Sequence, residues 1–279
     1  MYAEVIGDPV ARSRSPLIHK YWLDQLKLTG DYRRTRVPKG AVATYLAERL
    51  KDPDWRGCNV TIPNKEDAAQ LARELDVGAS AIGAVNCLVP RASGLFGSNT
   101  DVEGIAAALD DTALERGAAV IIGSGGAARA AAAYLAGRNI GEVRILVRDP
   151  AKARQILTII PKTSVEIGNI SAAGTLIAGA ALIINASPMG MTDCPAMPET
   201  LVEAIARHAK GTTLFDMVYD PVETRFLIAG REAGARIVDG LTMLVGQAAR
   251  AFELFFGVAA PEPTDELRCI LATAGADSI

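Results

Sequence analysis

The chain is poor in histidine and cysteine, and that shortage closes off a class of function. The two histidines, His19 and His208, stand far apart, and no pair among Cys58, Cys87, Cys194 and Cys269 has metal-ligand spacing. A metal centre is therefore not expected, and free buried thiols in a reducing cytoplasm are the simpler reading. There is no excess of positive charge: 29 basic side chains face 32 acidic ones, for a net charge of −3. Without a basic field to hold a polyanion, nucleic acid is not expected as a partner. Long hydrophobic runs are missing too, since every apolar stretch is short or interrupted by charge and glycine, so no membrane span is expected. The opening MYAEVIGDPV leads directly into a strand and lacks the charged-then-apolar order of a secretory signal. A cytoplasmic location is expected.

What is present is an ordinary globular composition, 49% hydrophobic and 22% charged over 279 residues, enough for two domains. The most informative stretch is AAVIIGSGGAAR at 118–129. Ala118 to Ile122 is too short for a helix and reads as a buried parallel strand. It runs through Gly123-Ser124-Gly125-Gly126 into an alanine-rich helical segment from Ala127. A strand that feeds a helix through glycines is the dinucleotide-binding turn. Gly123 suits a tight turn, Gly125 lets the backbone approach a pyrophosphate, and the helix start offers free N–H groups and partial positive charge. The next strand, EVRILV at 142–147, ends at Arg148-Asp149, where the adenosine ribose belongs. Arg148 suits a 2′-phosphate, with Lys152 able to help, whereas Asp149 suits a free 2′-hydroxyl.

In chain order, an apolar strand turns at Gly7-Asp8-Pro9. Ser15 before Pro16 reads as an N-cap, with a helix expected over 17–26. Ser13 and Ser15 are either turn and cap residues or a pair of hydroxyls that bind a small carboxylate. A strand is expected over 32–37, a helix over 40–50, and a strand over 57–63 that ends at Pro63. A helix opened by Asn64-Lys65-Glu66 is expected to reach Leu75. A lysine at a helix start opposes the helix dipole, so Lys65 is either a solvated surface residue or placed for chemistry. Residues 81–89 read as a strand with Asn86 inside it. A buried Asn must find partners, as a bridge between loops or as a ligand contact. Gly97 to Asp101 reads as a turn before a helix over 102–109, which Asp101 could simply cap.

From Gly117 onward, strands are expected at 118–122, 143–147, 165–168, 181–185, 213–218 and 236–238, alternating with helices. This is the pattern of a doubly wound parallel sheet. Its strand ends at 185–191 and 215–221 are ligand-edge loops. A long helix over 241–256, with Gln247 in its middle, is expected to return to the first domain, followed by a short one over 266–272. The fold class is thus α/β, with an N-terminal α/β domain (1–101), a Rossmann-type nucleotide domain (102–238) and C-terminal helices (239–279) packed back on the first.

Together the polar islands SRSP (13–16), NVTIPNK (59–65), IGAVN (82–86), NTD (99–101), GSGGAAR (123–129), NASPMGM (185–191), DMVYDPVET (216–224) and DGLTMLVGQA (239–248) resemble the shikimate dehydrogenase family over nearly the full length. The resemblance implies that the first domain and the last long helix bind shikimate and that the middle domain binds the nicotinamide cofactor. It implies Ser13 and Ser15 on the substrate carboxylate with Tyr219 nearby, and Asn59, Thr61, Asn86, Asp101 and Gln247 on the ring hydroxyls. Lys65 and Asp101 would be the catalytic pair. Gly123, Ser124, Gly125, Gly126 and Ala127 would cradle the pyrophosphate, and Met217, Gly240 and Met243 would line the nicotinamide side. The chain departs from the family pattern at Asn64, Ser98, Val102 and Val147-Arg148-Asp149.

Oxidising a secondary alcohol requires a group to take the hydroxyl proton while the carbon presents hydride to the nicotinamide. Lys65 is the candidate for the proton and Asp101 for fixing the hydroxyl. Burial favours a neutral Lys65 acting as general base; the carboxylate favours a charged Lys65 that stabilises an alkoxide. The implied activity is reversible NADPH-dependent reduction of 3-dehydroshikimate in aromatic amino-acid (chorismate) biosynthesis, with NADP favoured and NAD the other choice. The alternatives are a quinate or dual quinate/shikimate enzyme using NAD, and a ligand sensor that keeps the fold without turnover. The expected partner is a small-molecule substrate, and the expected state a monomer or homodimer.

Overall fold

The computed structural model describes residues 1–109, 117–138 and 140–274. It divides the chain into two compact units, residues 1–104 with 244–279, and residues 105–243.

The first unit opens with β1 (Tyr2–Gly7), α1 (Ser15–Gln25), β2 (Asp31–Arg36), α2 (Val42–Arg49), β3 (Trp55–Val60), α3 (Lys65–Leu71), β4 (Glu74–Leu75), α4 (Val77–Ile82), β5 (Cys87–Arg91) and β6 (Gly94–Ser98). The strands form a mixed sheet in the order β2-β1-β3-β5-β6-β4. β1 is parallel to β2 and β3, and β5 is antiparallel to both β3 and β6. β1 is buried along its whole length, so its alternating side chains feed two cores. Tyr2 and Ile6 join Trp55, Cys58 and Val60 on one face; Ala3 and Val5 join Tyr32, Cys87 and Phe255 on the other. Between Tyr2 and Ile6 lies the fully buried Glu4, which accepts from Thr35, Tyr45, Arg49 and Trp55 at 2.6–3.0 Å. Those donors come from β2, α2 and β3, so one carboxylate ties three elements to β1.

α5 (Asp101–Leu109) carries the chain out of this unit. The second unit then runs β7 (Ala118–Ile122), α6 (Gly126–Gly137), β8 (Glu142–Val147), α7 (Arg154–Leu157), β9 (Ser164–Asn169), α8 (Ala173–Leu176), β10 (Ala180–Asn185), α9 (Glu199–His208), β11 (Thr213–Asp216), α10 (Arg225–Glu232) and β12 (Arg236–Val238). Its six-stranded sheet has the order β12-β11-β10-β7-β8-β9, with every neighbouring pair parallel. The order reverses between β7 and β10, the topological switch point of a doubly wound sheet. Its central strands are uninterrupted apolar runs because helices cover both faces. α11 (Gly240–Phe256) starts in this unit and delivers residues from Leu244 onward to the first, where Ala251 and Phe255 enter the core, and α12 (Asp265–Thr273) follows. The final residues, 275–279, lie outside the described part of the expected 239–279 segment.

Several local expectations are corrected. Residues 81–89 are not one strand: α4 ends at Ile82 under a left-handed Gly83 (φ +66), and β5 begins only at Cys87. The apolar run AIGAV hid a short helix capped by Asp76, which accepts from Ala79 N–H at 2.6 Å. Ser15 is not the N-cap of α1; Arg14 holds that position, and Ser15 and Pro16 are the first two helical residues. α3 stops at Leu71, not Leu75, because Glu74 and Leu75 pair with β6 as a short parallel strand. Gly97 and Ser98 finish β6 and do not form a turn. β3 and β11 end at Val60 and Asp216, short of the expected 63 and 218.

Among the described residues no helix is long and apolar enough to cross a membrane, and no group of three or more His, Cys, Asp or Glu is placed to hold a metal ion. Cys58, Cys87, Cys194 and Cys269 are free, and burial pushes the first two thiols up, away from thiolate reactivity.

Candidate functional site

Register alone gathers one set of polar residues at a single edge of the first sheet. β3 pairs Asn59 with Cys87, and β5 pairs Cys87 with Ser98. Asn59, Asn86 and the segment from Ser98 to Asp101 therefore meet, although they come from three separate stretches of chain. Lys65 starts α3 just beyond β3, with Glu66 and Asp67 in the same first turn to offset its opposition to the dipole.

At this edge the Lys65 Nζ donates to Asp101 Oδ2 at 2.6 Å. The lysine side chain is 24% exposed and the aspartate 4%, so the pair is largely withdrawn from water with one side open. Asn86 Nδ2 donates to Asp101 Oδ1 at 2.8 Å and reaches Gln247 Oε1 at 3.4 Å. The Asn86 Oδ1 accepts from Thr100 N–H at 2.7 Å, and its backbone oxygen accepts from Val60 N–H. Asn86 is thus a bridge between loops, and its long bond to Gln247 is the one an incoming hydroxyl could replace. Asp101 does not cap α5 with its side chain. Asn99 accepts from Asp101 N–H at 3.2 Å and itself donates to Ala84 O, leaving both carboxylate oxygens of Asp101 to Lys65 and Asn86.

A second cluster belongs to the same unit. Ser13 Oγ donates to Ser15 Oγ at 3.2 Å, and Arg34 Nε donates to the Ser13 carbonyl at 2.8 Å. Asn59 accepts from Tyr32 Oη at 2.6 Å and donates to Asn86 O at 3.1 Å. Thr61 follows β3, half-buried, with its N–H on Ile6 O. The contacts of Tyr32, Arg34, Asn99 and Thr100 were not legible in the sequence. The NTD island did contain the last two, but nothing local marks Asn99 as the acceptor for Asp101 N–H or Thr100 as the clamp on Asn86.

The second unit offers a different kind of site. Gly123 has φ +127, and a Cβ there would stand 2.7 Å from Ala186 O, the first residue past β10. The glycine is needed where the two strands separate at the switch point. Gly125 is the N-cap of α6 and supplies no side-chain cap, so Gly126, Ala127 and the next N–H groups face outward uncapped. A Cβ at Gly125 would meet no protein atom within 4 Å, so the space before this helix start is open, as a bound pyrophosphate requires. Ser124 sits half-buried in the turn. Arg148 is exposed just past β8, beside β7. Asp149 is turned back on its own chain, accepting from Ala151 N–H at 3.1 Å.

Behind the two edge loops lies a buried frame. Asp216 accepts from Asn185 Nδ2 at 2.9 Å, Val218 N–H at 3.0 Å and Thr224 Oγ1 at 2.5 Å. Burial raises its carboxyl to about 6, against the pull of those donors. Asn185 also donates to Met189 O and accepts from Ser187, so NASPMGM and DMVYDPVET are fastened to each other. Gly240 packs on this frame: a Cβ there would lie 2.6 Å from Val218 O and 2.8 Å from Met217 O. Met243 is buried and Tyr219 half-buried, both in this second unit.

Residues 5–88 match the model of the shikimate dehydrogenase substrate-binding domain, and residues 240–265 that of the shikimate 5′-dehydrogenase C-terminal domain. A protein of Sphingopyxis alaskensis named shikimate dehydrogenase (NADP(+)) is 43% identical over 272 residues, covering 97% of this chain and 96% of that one. The Thermus thermophilus shikimate 5-dehydrogenase crystallised with NADP(H) and shikimate is 30% identical, with a TM-score of 0.81 and full coverage of both chains. The quinate dehydrogenase of Corynebacterium glutamicum in complex with NAD has a TM-score of 0.82 at 26% identity over 99% of each chain.

Proposed function

The chain belongs to the shikimate dehydrogenase family, and we propose that it catalyses the reversible NADPH-dependent reduction of 3-dehydroshikimate to shikimate in aromatic amino-acid biosynthesis. The observation that carries this reading is the Lys65–Asp101 pair at 2.6 Å, steadied by Asn86 and open on one side. In the reductive direction the ammonium of Lys65 gives a proton to the oxygen of the reacting carbonyl as it becomes a hydroxyl. In the oxidative direction the same nitrogen takes that proton back. Asp101 holds the lysine in place and accepts from the substrate hydroxyl. Ser13 and Ser15 hold the carboxylate with Tyr219 assisting, and Asn59, Thr61, Asn86 and Gln247 meet the ring hydroxyls.

NADP(H), when bound, supplies the hydride. Gly123, Ser124, Gly125, Gly126 and Ala127 would hold its pyrophosphate, Arg148 and Lys152 its 2′-phosphate, and Met217, Gly240 and Met243 its nicotinamide end. Asp149 spends one oxygen on its own turn, which supports Arg148 as the group that meets the ribose phosphate. On this reading residues 1–101 with 239–279 serve the substrate and residues 102–238 the cofactor. The enzyme works in the cytoplasm as a monomer or homodimer, on a small molecule, without nucleic acid or membrane.

The test is initial-rate absorbance of reduced cofactor, with shikimate or quinate against NADP or NAD. Turnover concentrated in the shikimate and NADP combination supports the proposal. Turnover of quinate with NAD replaces it with the quinate reading, and binding of shikimate without turnover replaces it with a sensor.

A further inference from the structure

Strand alternation places Tyr32 and Arg34 on the same face of β2, and both reach residues assigned above to the substrate. Tyr32 is 1% exposed and lies flat on His19, with ring centroids 3.9 Å apart and planes within 1°. His19 is completely buried, and burial pushes its imidazole down to about 3. It therefore stays neutral and acts as a flat packing surface for the phenol. Phe252 and Phe255 of α11 close the same aromatic cluster. A phenylalanine would fill this core equally well. What the tyrosine adds is a hydroxyl held in one place, donating to Asn59 Oδ1 at 2.6 Å and neighboured by the Ser15 hydroxyl.

The consequence follows from the donor inventory of one carboxamide. An asparagine side chain has an oxygen that accepts and two N–H groups that donate. The oxygen of Asn59 is taken by Tyr32, and one N–H is directed to Asn86 O at 3.1 Å. The second N–H is left on a half-buried side chain at the site edge. We propose that Tyr32 is a positioning residue for the substrate: its hydroxyl fixes the Asn59 carboxamide with oxygen inward and N–H outward, so that Asn59 meets the substrate only as a donor to a hydroxyl oxygen. Through Ser15, which accepts from Ser13, the same hydroxyl links that donor to the carboxylate-binding serines. The inference rests on the substrate reading of Asn59 given above.

The test compares Tyr32→Phe, Asn59→Ala and the double variant with the wild type. Tyr32→Phe keeps the stack on His19, so its thermal midpoint and its KM for NADP stay near those of the wild type. Its KM for shikimate rises by about 5–10-fold, the worth of one hydrogen bond, while kcat changes by less than about threefold. The double variant is no worse than Asn59→Ala, because the hydroxyl acts through that residue. An unchanged KM in Tyr32→Phe, or KM effects that multiply in the double variant, would overturn the role. A second readout needs no turnover. The side-chain amide pair of Asn59, assigned in ¹⁵N–¹H spectra by its loss in Asn59→Ala, exchanges faster with solvent in Tyr32→Phe. No change in that pair sinks the positioning role alone, whereas a wild type inactive on shikimate sinks the functional reading.

Discussion

At the edge of the first sheet the polar groups are side chains, and they are bound to one another. Lys65, Asp101, Asn86 and Gln247 form one contact series, and Tyr32, Asn59, Ser15 and Ser13 another. At the corresponding edge of the second sheet the first groups met are backbone: the turn from Gly123, the uncapped start of α6, and loops whose side chains, Asn185 and Asp216, point inward as a frame. The contrast follows from what each edge is proposed to recognise. A sugar-like acid with several hydroxyls is distinguished by aimed donors and acceptors, which must be held against their own freedom. A pyrophosphate is recognised by N–H groups and a helix dipole, which any sequence provides once the chain can turn tightly enough.

The sharpest way to break the comparison is Lys65→Ala. With a side-chain site, kcat should fall about 10³-fold, within the range for a lost acid–base group, while NADP binding by fluorescence titration stays unchanged. An unchanged kcat would remove Lys65 from the chemistry. Next is Glu4→Ala, which leaves the Trp55 indole N–H and the Tyr45, Thr35 and Arg49 donors without their shared acceptor. Urea denaturation should show a loss of about 3–4 kcal/mol; a loss below about 1 kcal/mol would mean that the network contributes little.

Asp216 tests the second unit's frame through pH. Its carboxyl is raised from 3.8 to about 6 by burial, so between those values the folded chain holds a proton that the unfolded chain has released. Its contribution is fully present below pH 3.8 and is lost as pH rises through about 6. Asp216→Asn has no such loss. Its stability relative to the wild type should therefore improve by roughly 3 kcal/mol from acid to neutral pH, and parallel stability curves would contradict this. The smallest effect is expected at Arg148, where Arg148→Ala should raise the KM for NADP about tenfold and leave that for NAD unchanged. Equal changes for both cofactors would remove its phosphate role.

Much of the second unit could be read from the sequence for a physical reason. Buried parallel strands are continuous apolar runs, and the turn after β7 needs glycines at set positions, so both signals lie within a few residues. Reading failed where local patterns are ambiguous. AIGAV looked like a strand although α4 ends inside it, and Ser15 before Pro16 looked like a cap although Arg14 takes that place. In the first unit the family resemblance nominated Lys65 and Asp101 as a pair and Asn86 and Gln247 as substrate contacts, but no local pattern in the sequence joins them, because their contacts span 36, 15 and 161 residues. Tyr32 drew no notice at all, since a tyrosine in a strand is ordinary until its hydroxyl has a partner.

The sequence by itself determined the α/β class, the order of the parallel strands' signals along the chain, the glycine turn and the polar islands that place it in its family. Each of these depends on backbone geometry or on residues close together in the chain. Only the tertiary structure decided which oxygen of Asp101 faces Lys65, that the side chain of Asn99 accepts from Asp101 N–H, and that Tyr32 turns the amide of Asn59. These are questions of which atom meets which across sheet register and packing, and strand pairing between distant segments is set by the whole core.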